Sequence, residues 1–233
     1  MADYRFARRP AWIAGHLLVA SMVVLMVNLG FWQLRRLDER RDQNALVEAR
    51  AAIAPVDVGE ELDPGANGAV VDDLRFRTVV AEGTYGDSTV VRATQSGASG
   101  GRVFTVLDLG DGEQVAVLRG FVPQDPDGGV DAPLPPAGTV EVEGIAVPRD
   151  RLELVSRQAI DDLEAANPGL LPVVVQATEP DAPALVAVPP PDLGEGPHLS
   201  YAVQWFLFSL VAMIGYPLLL RRRARESHQP ARR

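Results

Sequence analysis

The sequence predicts a membrane-anchored α+β protein, with two transmembrane helices flanking a mostly antiparallel β domain outside the cytoplasm. Long runs without charged residues lie near both chain ends, and short Val- and Thr-rich runs separated by Gly, Pro and Asp lie between them. The predicted order is a cytoplasmic tail (1–10), a first span (11–34), an extracytoplasmic domain (35–198) with a helical extension (35–52), a second span (199–220) and an Arg-rich cytoplasmic tail (221–233).

Both apolar runs are long enough to span a bilayer. The second, 199–220, has no charged residue, and about 22 residues at 1.5 Å each give roughly 33 Å. The first is uncharged apart from His16, and its apolar core exceeds the roughly 7 to 15 residues of a signal peptide. We therefore expect a retained signal anchor followed by a second transmembrane helix.

Arginines set the expected orientation, because the chain contains no lysine. Six arginines follow Leu220, at 221, 222, 223, 225, 232 and 233, whereas 192–200 has none. Basic residues stay preferentially on the cytoplasmic side, so the C-terminus is predicted to be cytoplasmic, and two spans put the N-terminus there too. The composition, rich in Arg, Ala, Val, Gly and Pro, suggests a GC-rich bacterial genome and hence the bacterial plasma membrane, with the domain on the periplasmic side.

The segment between the spans is acidic and free of cysteine. Residues 35–198 hold 29 Asp and Glu against 13 Arg, a net charge of −16. This charge disfavours nucleic acid as a partner, since phosphates require a basic surface. Without cysteine, neither a disulfide scaffold nor a thiolate metal site is available.

Turn residues divide the domain into predicted elements. The helical extension is expected to end before Pro55, "VDVGEELDPGANG" is predicted as a polar loop, and Gly110-Asp111-Gly112 predicts a hairpin. "SRQAIDDLEAANPG" predicts a short helix with Ser156 as its N-cap. The predicted strands are 75–85, 88–95, 102–109, 113–121, 139–147, 170–177 and 183–188, with a Pro-rich loop at 123–138 and a stiff linker at 189–197.

Polar and aromatic residues gather where the two spans meet the outer interface. His198, Tyr201 and Trp205 lie along one helical stripe, and an antiparallel pairing of the spans would set them opposite Trp32 in an aromatic slot. One interpretation is that they are ordinary interfacial anchors. The other is that His198 is the axial ligand of a haem-like cofactor whose propionates pair with arginine. The candidate cofactor-binding residues are His198, Trp205, Tyr201, Trp32, Arg35 and Arg36, with His198 as the metal ligand.

Motifs of catalysis are absent from the sequence. His198 is the only histidine after the first span apart from one in the C-terminal tail, and no Gly-x-Ser-x-Gly, His-Glu-x-x-His or phosphate loop is present. The protein is therefore predicted not to be an enzyme. His16 lies about 27 Å along its helix from Leu34, so a helix contact in the cytoplasmic leaflet is the expected role.

Five segments, in order, carry a family resemblance: "NLGFWQLRRLDER", "VVAEGTY", "VLRGFVP", "VEGIAVPR" and "HLSYAVQWFLFS". With two terminal spans they resemble the Surfeit locus protein one family of cytochrome c oxidase assembly proteins. The resemblance implies a factor that matures the catalytic subunit of an aa3-type oxidase and binds haem a through the histidine matching His198. The expected partners are that subunit, haem a synthase and the lipid bilayer. The motif residues are Trp32, Gln33, Arg36, Gly83, Tyr85, Arg119, Gly120 and Pro123.

Two other functions stay open at this point. One is an accessory scaffold of the oxidase, or of a larger respiratory assembly, that never holds haem. The other is an unrelated sensor with an extracytoplasmic ligand domain. Haem retention during purification separates the first from the assembly factor.

Overall fold

A computed structural model describes residues 4–226. The chain divides into two compact units. One, the helical pair, consists of the chain up to Asn44 and from Leu193 onward. The other, the barrel domain, is Ala45–Asp192. The positions 1–3 and 227–233, including the tail residues Arg232 and Arg233, lie outside the described residues.

The helical pair is built from two long helices, α1 (Pro10–Ala51) and the last helix of the chain, α5 (His198–Glu226). Both are long and apolar enough to cross a membrane, and only 6% of the apolar stretch of each is buried. An apolar helix that buries so little against protein is suited to lipid rather than to a soluble core. The predicted continuation beyond the first span is present, and α1 ends at Ala51.

Strand pairing in the barrel domain closes a ring. Strand β2 pairs with β3 through its second half and with β5 through its first half, while β4 and β5 both pair with β6. Four of the six pairings are antiparallel, as predicted, and β1–β2 and β4–β6 are parallel. The strands are β1 (Val56–Asp57), β2 (Thr78–Gln95), β3 (Ala98–Gly110), β4 (Glu113–Pro123), β5 (Thr139–Pro148) and β6 (Leu170–Ala177).

Alternation along each strand gives the ring two buried faces. On β4, Val115 and Val117 belong to a cluster with members from all five ring strands, which fills the interior. The intervening Ala116 and Leu118 belong to an outer cluster that includes Ile160 of helix α4 (Leu154–Ala166). The domain core therefore lies inside the ring, and a helix covers part of its outside.

The prediction of a polar loop at 56–68 is wrong, because two side chains of this segment cap short helices. Asp57 caps helix α2 (Val58–Glu61) by accepting from the backbone N–H of Gly59 and Glu60, and Val58 is fully buried. Helix α3 (Gly68–Leu74) begins similarly after Asn67, whose side-chain oxygen accepts from two backbone N–H groups. Composition alone reads such a segment as loop, although both capping residues are visible in the sequence.

Three further boundaries differ from expectation. The predicted strands 75–85 and 88–95 form the single strand β2, which begins only after Phe76 with its φ of 66°. Ser156 is not an N-cap: it lies inside α4 and is buried, while Glu153 occupies the cap position. The predicted strand 183–188 contributes only an isolated bridge, in which Val186 and Phe121 exchange two backbone hydrogen bonds. The hairpin at Gly110-Asp111-Gly112 is confirmed, joining β3 to β4.

Candidate functional site

The two helices meet where an aromatic ring of α5 rests against a glycine of α1. A Cβ added at Gly30 of α1 would lie 2.6 Å from Cε1 of Phe206 on α5, and the neighbouring Phe31 ring meets Phe206 edge to face at 5.3 Å. The absent side chain of Gly30 leaves room for this ring, and van der Waals packing drives the association of membrane helices. The contacts pair the early part of one helix with the late part of the other, so α1 and α5 run antiparallel as predicted.

One polar contact joins the helices at the beginning of α5. Nδ1 of His198 lies 2.9 Å from Oε1 of Gln33, in a partly buried position. An amide oxygen only accepts hydrogen bonds, so Nδ1 carries the proton and donates it. Nε2 then keeps its lone pair, and this is the tautomer that metal-ligating histidines adopt when a carbonyl holds the other ring nitrogen.

The chain before His198 turns sharply at Gly196. Gly196 has a φ of 68°, and a Cβ there would lie in van der Waals contact with the imidazole, 3.6 Å from Nε2. A side chain at this position would be strained. Glycine followed by Pro197 thus allows the turn that starts α5 beside the partly exposed His198.

Three side chains of α1 hold the linker that leads to this glycine. Arg41 makes two hydrogen bonds to the carboxylate of Glu195, at 2.6 and 3.1 Å, and Asn44 donates to the Leu193 carbonyl at 2.5 Å. Arg40 adds a bond of 3.0 Å to the Gly194 carbonyl. The Arg41 guanidinium lowers the pKa of Glu195 below its ordinary value, chiefly through the hydrogen bond. The entry to α5 is therefore fixed to α1 on both sides of Gly196.

The other predicted site residues of α5 lie beside the contact face. The contact face itself carries Ala202 and Ser209, which are buried one and three turns beyond His198. Tyr201 is 47% exposed, and the Trp205 ring packs on Phe208 of its own helix at a centroid distance of 6.1 Å. Tyr201 and Trp205 therefore flank the histidine rather than facing α1.

The predicted residues of α1 lie further from the contact. Gly30, Gln33 and Leu37 form the face toward α5, and at about 100° per residue Trp32 and Arg35 lie roughly 130° or more around the helix. Arg36 is about a quarter turn away and pairs with Glu39 at 2.6 Å. Within residues 4–226, Arg35 is exposed and has no ion-pair partner. At this level His198 contacts α1 through Gln33, while Trp32 and Arg35 lie off the face that meets α5, so the slot lined by both stripes stays a prediction.

Gly196 and Tyr216 are two residues of the helical pair whose roles no sequence motif indicates. His16 donates or accepts through Nδ1 at 2.5 Å from the Tyr216 hydroxyl, and its Nε2 lies 3.1 Å from the Ala7 carbonyl oxygen. The expected helix contact of His16 is confirmed. Tyr216 is recognisable in the sequence as a polar aromatic residue within an apolar run, but the sequence does not indicate which residue it contacts.

The Arg-Gly-x-x-Pro motif contributes a buried arginine, paired with an aspartate, to the interior of the barrel domain. The Arg119 side chain is fully buried and donates to both carboxylate oxygens of Asp181 at 2.8 to 3.0 Å. It also donates to the Pro133 carbonyl at 2.9 Å and lies 5.4 Å from the ring of Tyr85. Burial, reinforced by the Asp181 charge, raises the pKa of Tyr85 above its ordinary value. Arg119 therefore ties strand β4 to two loops.

Gly120 has a backbone conformation that favours glycine. Its φ is 154°, and a Cβ would lie 3.0 Å from the Val186 carbonyl oxygen. A larger residue would push away the chain that bridges to Phe121. The motif is thus a structural junction of the barrel domain.

Among the described residues, no group of three or more His, Asp and Glu is placed to hold a metal ion. A haem iron does not need one, since the porphyrin supplies four ligands and the protein one or two. His198 is therefore the relevant candidate of the helical pair.

The fold and the helical pair define a membrane-anchored α+β protein with two spans and a strand-ring domain between them. The family model of the SURF1 family, which is the Surfeit locus protein one family, matches residues 20–210. The chain belongs to this family, which is generally linked to cytochrome oxidase assembly.

Relatives match over nearly the whole chain. Uncharacterized SURF1-like proteins of Mycobacterium tuberculosis and Mycobacterium bovis are 27% identical to it, over 92% of this chain and 85% of theirs. A SURF1-like protein of Monosiga brevicollis is 28% identical, over 87% of this chain and 86% of its own. The match thus includes both helices and the barrel domain.

Proposed function

We propose that this protein is an assembly factor of the bacterial plasma membrane that binds haem a and helps its insertion into the catalytic subunit of an aa3-type cytochrome c oxidase. Family membership supports the link to the oxidase. The observation that carries the haem proposal is the oriented imidazole: His198 donates through Nδ1 to Gln33 and keeps Nε2 available. Haem a synthase, which makes the cofactor, is the proposed donor.

The residues of the helical pair fit a haem group. Haem a supplies an iron that accepts an imidazole nitrogen and two propionates that accept hydrogen bonds. His198 would bind through Nε2, with Tyr201 and Trp205 as the aromatic residues on the flank next to it. Arg36 is the nearer arginine to this flank, and its exposed pair with Glu39 exchanges at little energetic cost. Arg35 and Trp32, on the far side of α1, are the weaker candidates.

The proposed activity is binding and transfer without turnover. His198 would hold the cofactor, and Gln33 holds the histidine in one tautomer. The linker bonds at 193–195 hold the start of α5, and with it His198, against α1. The arginines after Leu220 support cytoplasmic termini and a periplasmic barrel domain. A periplasmically active reporter fused to the C-terminus would contradict this orientation.

A second candidate is an accessory scaffold of the oxidase or a respiratory supercomplex that never holds haem. It is favoured by the face of α1 that carries Trp32 and Arg35, which is exposed and turned away from α5. Such a face is free to contact another membrane protein. The two candidates differ in whether the purified protein contains haem.

The deciding experiment is an absorption spectrum of the protein purified from cells that make haem a. We expect His198→Ala to remove most of the bound haem, and the matched variant His16→Ala, at the other end of the helical pair, to retain it. Arg36→Gln should have an intermediate effect, since it removes a propionate contact rather than the iron ligand. If His198→Ala keeps the wild-type haem content and spectrum, or wild type carries none, the scaffold function takes the place of the haem proposal.

A further inference from the structure

The barrel domain contains a cavity that the proposed function does not use. It has a volume of about 550 Å³ and lies on the outer face of the ring, between the start of α4 and the segment 188–191. This is within the roughly 300 to 1,000 Å³ range of small-molecule sites. Its walls include Phe104, Leu118, Ile145 and Val147, so the inner surface is largely apolar.

Arginines converge on this apolar space, although the domain as a whole is acidic. Arg75, Arg102 and Arg151 all line the cavity, and Glu153 is the one acidic residue among the described lining residues. Glu153 is occupied by Arg102, with bonds of 2.9 and 3.3 Å. Arg151 is satisfied in part by Asp150 at 3.4 Å. The cavity therefore presents more positive than negative charge.

Two donors at the cavity lack a partner within residues 4–226. Arg75 is partly buried and forms no hydrogen bond or ion pair through its guanidinium there, which instead stacks 4.3 Å above the ring of Phe76. Nε of Arg102 is buried and has no acceptor among the same residues. Nε of Arg102 is enclosed by protein, whereas the partly exposed Arg75 guanidinium keeps its donors available to an acceptor that enters the cavity. Burial and the neighbouring Arg151 lower the pKa of Arg75, and the charges of Asp72 and Asp150 offset this shift only in part.

The backbone holds Arg75 in this place by a conformation that side chains rarely adopt. Phe76 has a φ of 66°, and its N–H donates to the Ala146 carbonyl at 3.1 Å. A bulky residue in the left-handed region is strained, and such strain is concentrated at ligand sites. The strained turn puts an aromatic wall and a free guanidinium side by side at the cavity.

We propose that this cavity binds a small amphipathic carboxylate of the fatty-acid class. The carboxylate accepts from the Arg75 guanidinium, and the apolar body lies against the partly exposed Ile145 and Val147. A guanidinium matches the planar fork of a carboxylate, and a single free cation above apolar walls suits one negative charge on an apolar chain. The site lies entirely within the barrel domain and does not depend on haem binding.

The test uses the full-length protein in nanodiscs of phosphatidylcholine, with a diazirine derivative of dodecanoic acid as a photo-crosslinking probe. Labelled peptides are mapped by mass spectrometry, and unlabelled dodecanoate, dodecanol and dodecyl phosphate compete. We expect labels on peptides containing 94–104 and 145–153, and dodecanoate should compete about tenfold better than dodecanol, since a charge-assisted bond favours it.

Three variants make the result specific. In Arg75→Gln the preference for dodecanoate over dodecanol should fall to near unity, whereas Arg92→Gln, an exposed arginine on β2 outside the cavity, should keep it. Thr94→Trp fills the mouth from an exposed position, so it should abolish the labelling without altering the core. Absence of label from these peptides in wild type, equal competition by dodecanol, or stronger competition by dodecyl phosphate would each overturn the proposal.

Discussion

Replacing Asp181 by asparagine removes the charge that neutralises the fully buried Arg119 of the barrel domain. Breaking a buried ion pair from one side costs about 3 to 5 kcal/mol, because a buried charge is left uncompensated. The Asp181 side chain is 22% exposed and Arg119 keeps two carbonyl acceptors, at Pro133 and Leu134. Both features reduce the loss, so we expect about 3 kcal/mol for Asp181→Asn. At 1.4 kcal/mol per factor of ten, that is a roughly 100-fold change in the opening equilibrium.

Amide hydrogen exchange measures this loss without unfolding the membrane helices. All three tryptophans, at 12, 32 and 205, lie outside the barrel domain, so their fluorescence does not report on it. We expect the slowest amides of β3 and β4 to exchange about 100-fold faster in Asp181→Asn, in the regime where exchange follows the opening free energy. The exposed Asp87→Asn, as a matched control, should leave them unchanged.

A double variant separates the ion pair from packing. Arg119→Met combined with Asp181→Leu removes both charges, so it should be less destabilising than Asp181→Asn alone. Exchange rates in Asp181→Asn within threefold of wild type would refute the reasoning, as would a double variant that loses more than the sum of the single variants. Tyr85 gives a second reading: neutralising Asp181 should lower the pKa of Tyr85 toward its ordinary value, seen in an ultraviolet titration. Because the folded-state pKa is raised, the stability that Tyr85 contributes is present below about pH 10 and is lost as the pH rises further.

Three more outcomes follow from the helical pair. Gln33→Leu should weaken the proposed haem binding by roughly 10- to 100-fold, while Gln33→Glu, which keeps an acceptor for His198, should retain most of it; equal losses in a haem titration would contradict the positioning role. Arg41→Gln should raise the pKa of Glu195 toward its ordinary value in a carboxyl NMR titration. The ion pair with Arg41 is fully present at pH values above that ordinary pKa and is lost as the pH falls through the lowered pKa. An unchanged titration would show that the hydrogen bond is absent in solution. Gly30→Leu should separate the helices, measured by spin-label distances in the cysteine-free chain. An unaltered distance would contradict the close packing of the Phe206 ring on Gly30.

The elements that the sequence predicts well are those with a long or regular pattern. Both apolar helices, the α1 continuation and the β3–β4 hairpin follow from uninterrupted hydropathy, absence of Gly and Pro, or a turn of fixed spacing. The short helices α2 and α3 were missed because two turns of chain contribute little periodicity, and their caps at Asp57 and Asn67 look like ordinary loop residues. Closure of the ring depends on which strands meet, and alternation within a strand carries no information about its neighbours.

The candidate site, like the fold, is predicted from the sequence only in part. His198 and Gln33 were both recognisable, one as a titratable group at the mouth of a span and the other as a motif residue, but their hydrogen bond was not predicted. Helical spacing predicts stripes of Trp and Arg that face each other, whereas the described contacts join Gly30 to Phe206, Gln33 to His198 and His16 to Tyr216. In a bilayer, small residues allow close packing, and large amphipathic ones are stable at the water boundary without a protein partner.

The polar contacts at the two ends of the helical pair together fix the register of α5 along α1. His16 and Gln33 are 17 residues apart on α1, and their partners Tyr216 and His198 are 18 apart on α5, so both contacts are in register at once. Sliding α5 by one turn, about 5.4 Å, would break both contacts in a single step, and no neighbouring register restores them. The level of the His198 imidazole is consequently held at both ends of the helix, by Gln33 beside it and by the His16–Tyr216 contact about 27 Å away. Phenylalanine at 216 would remove the distant contact and leave the register to the bonds around His198 alone.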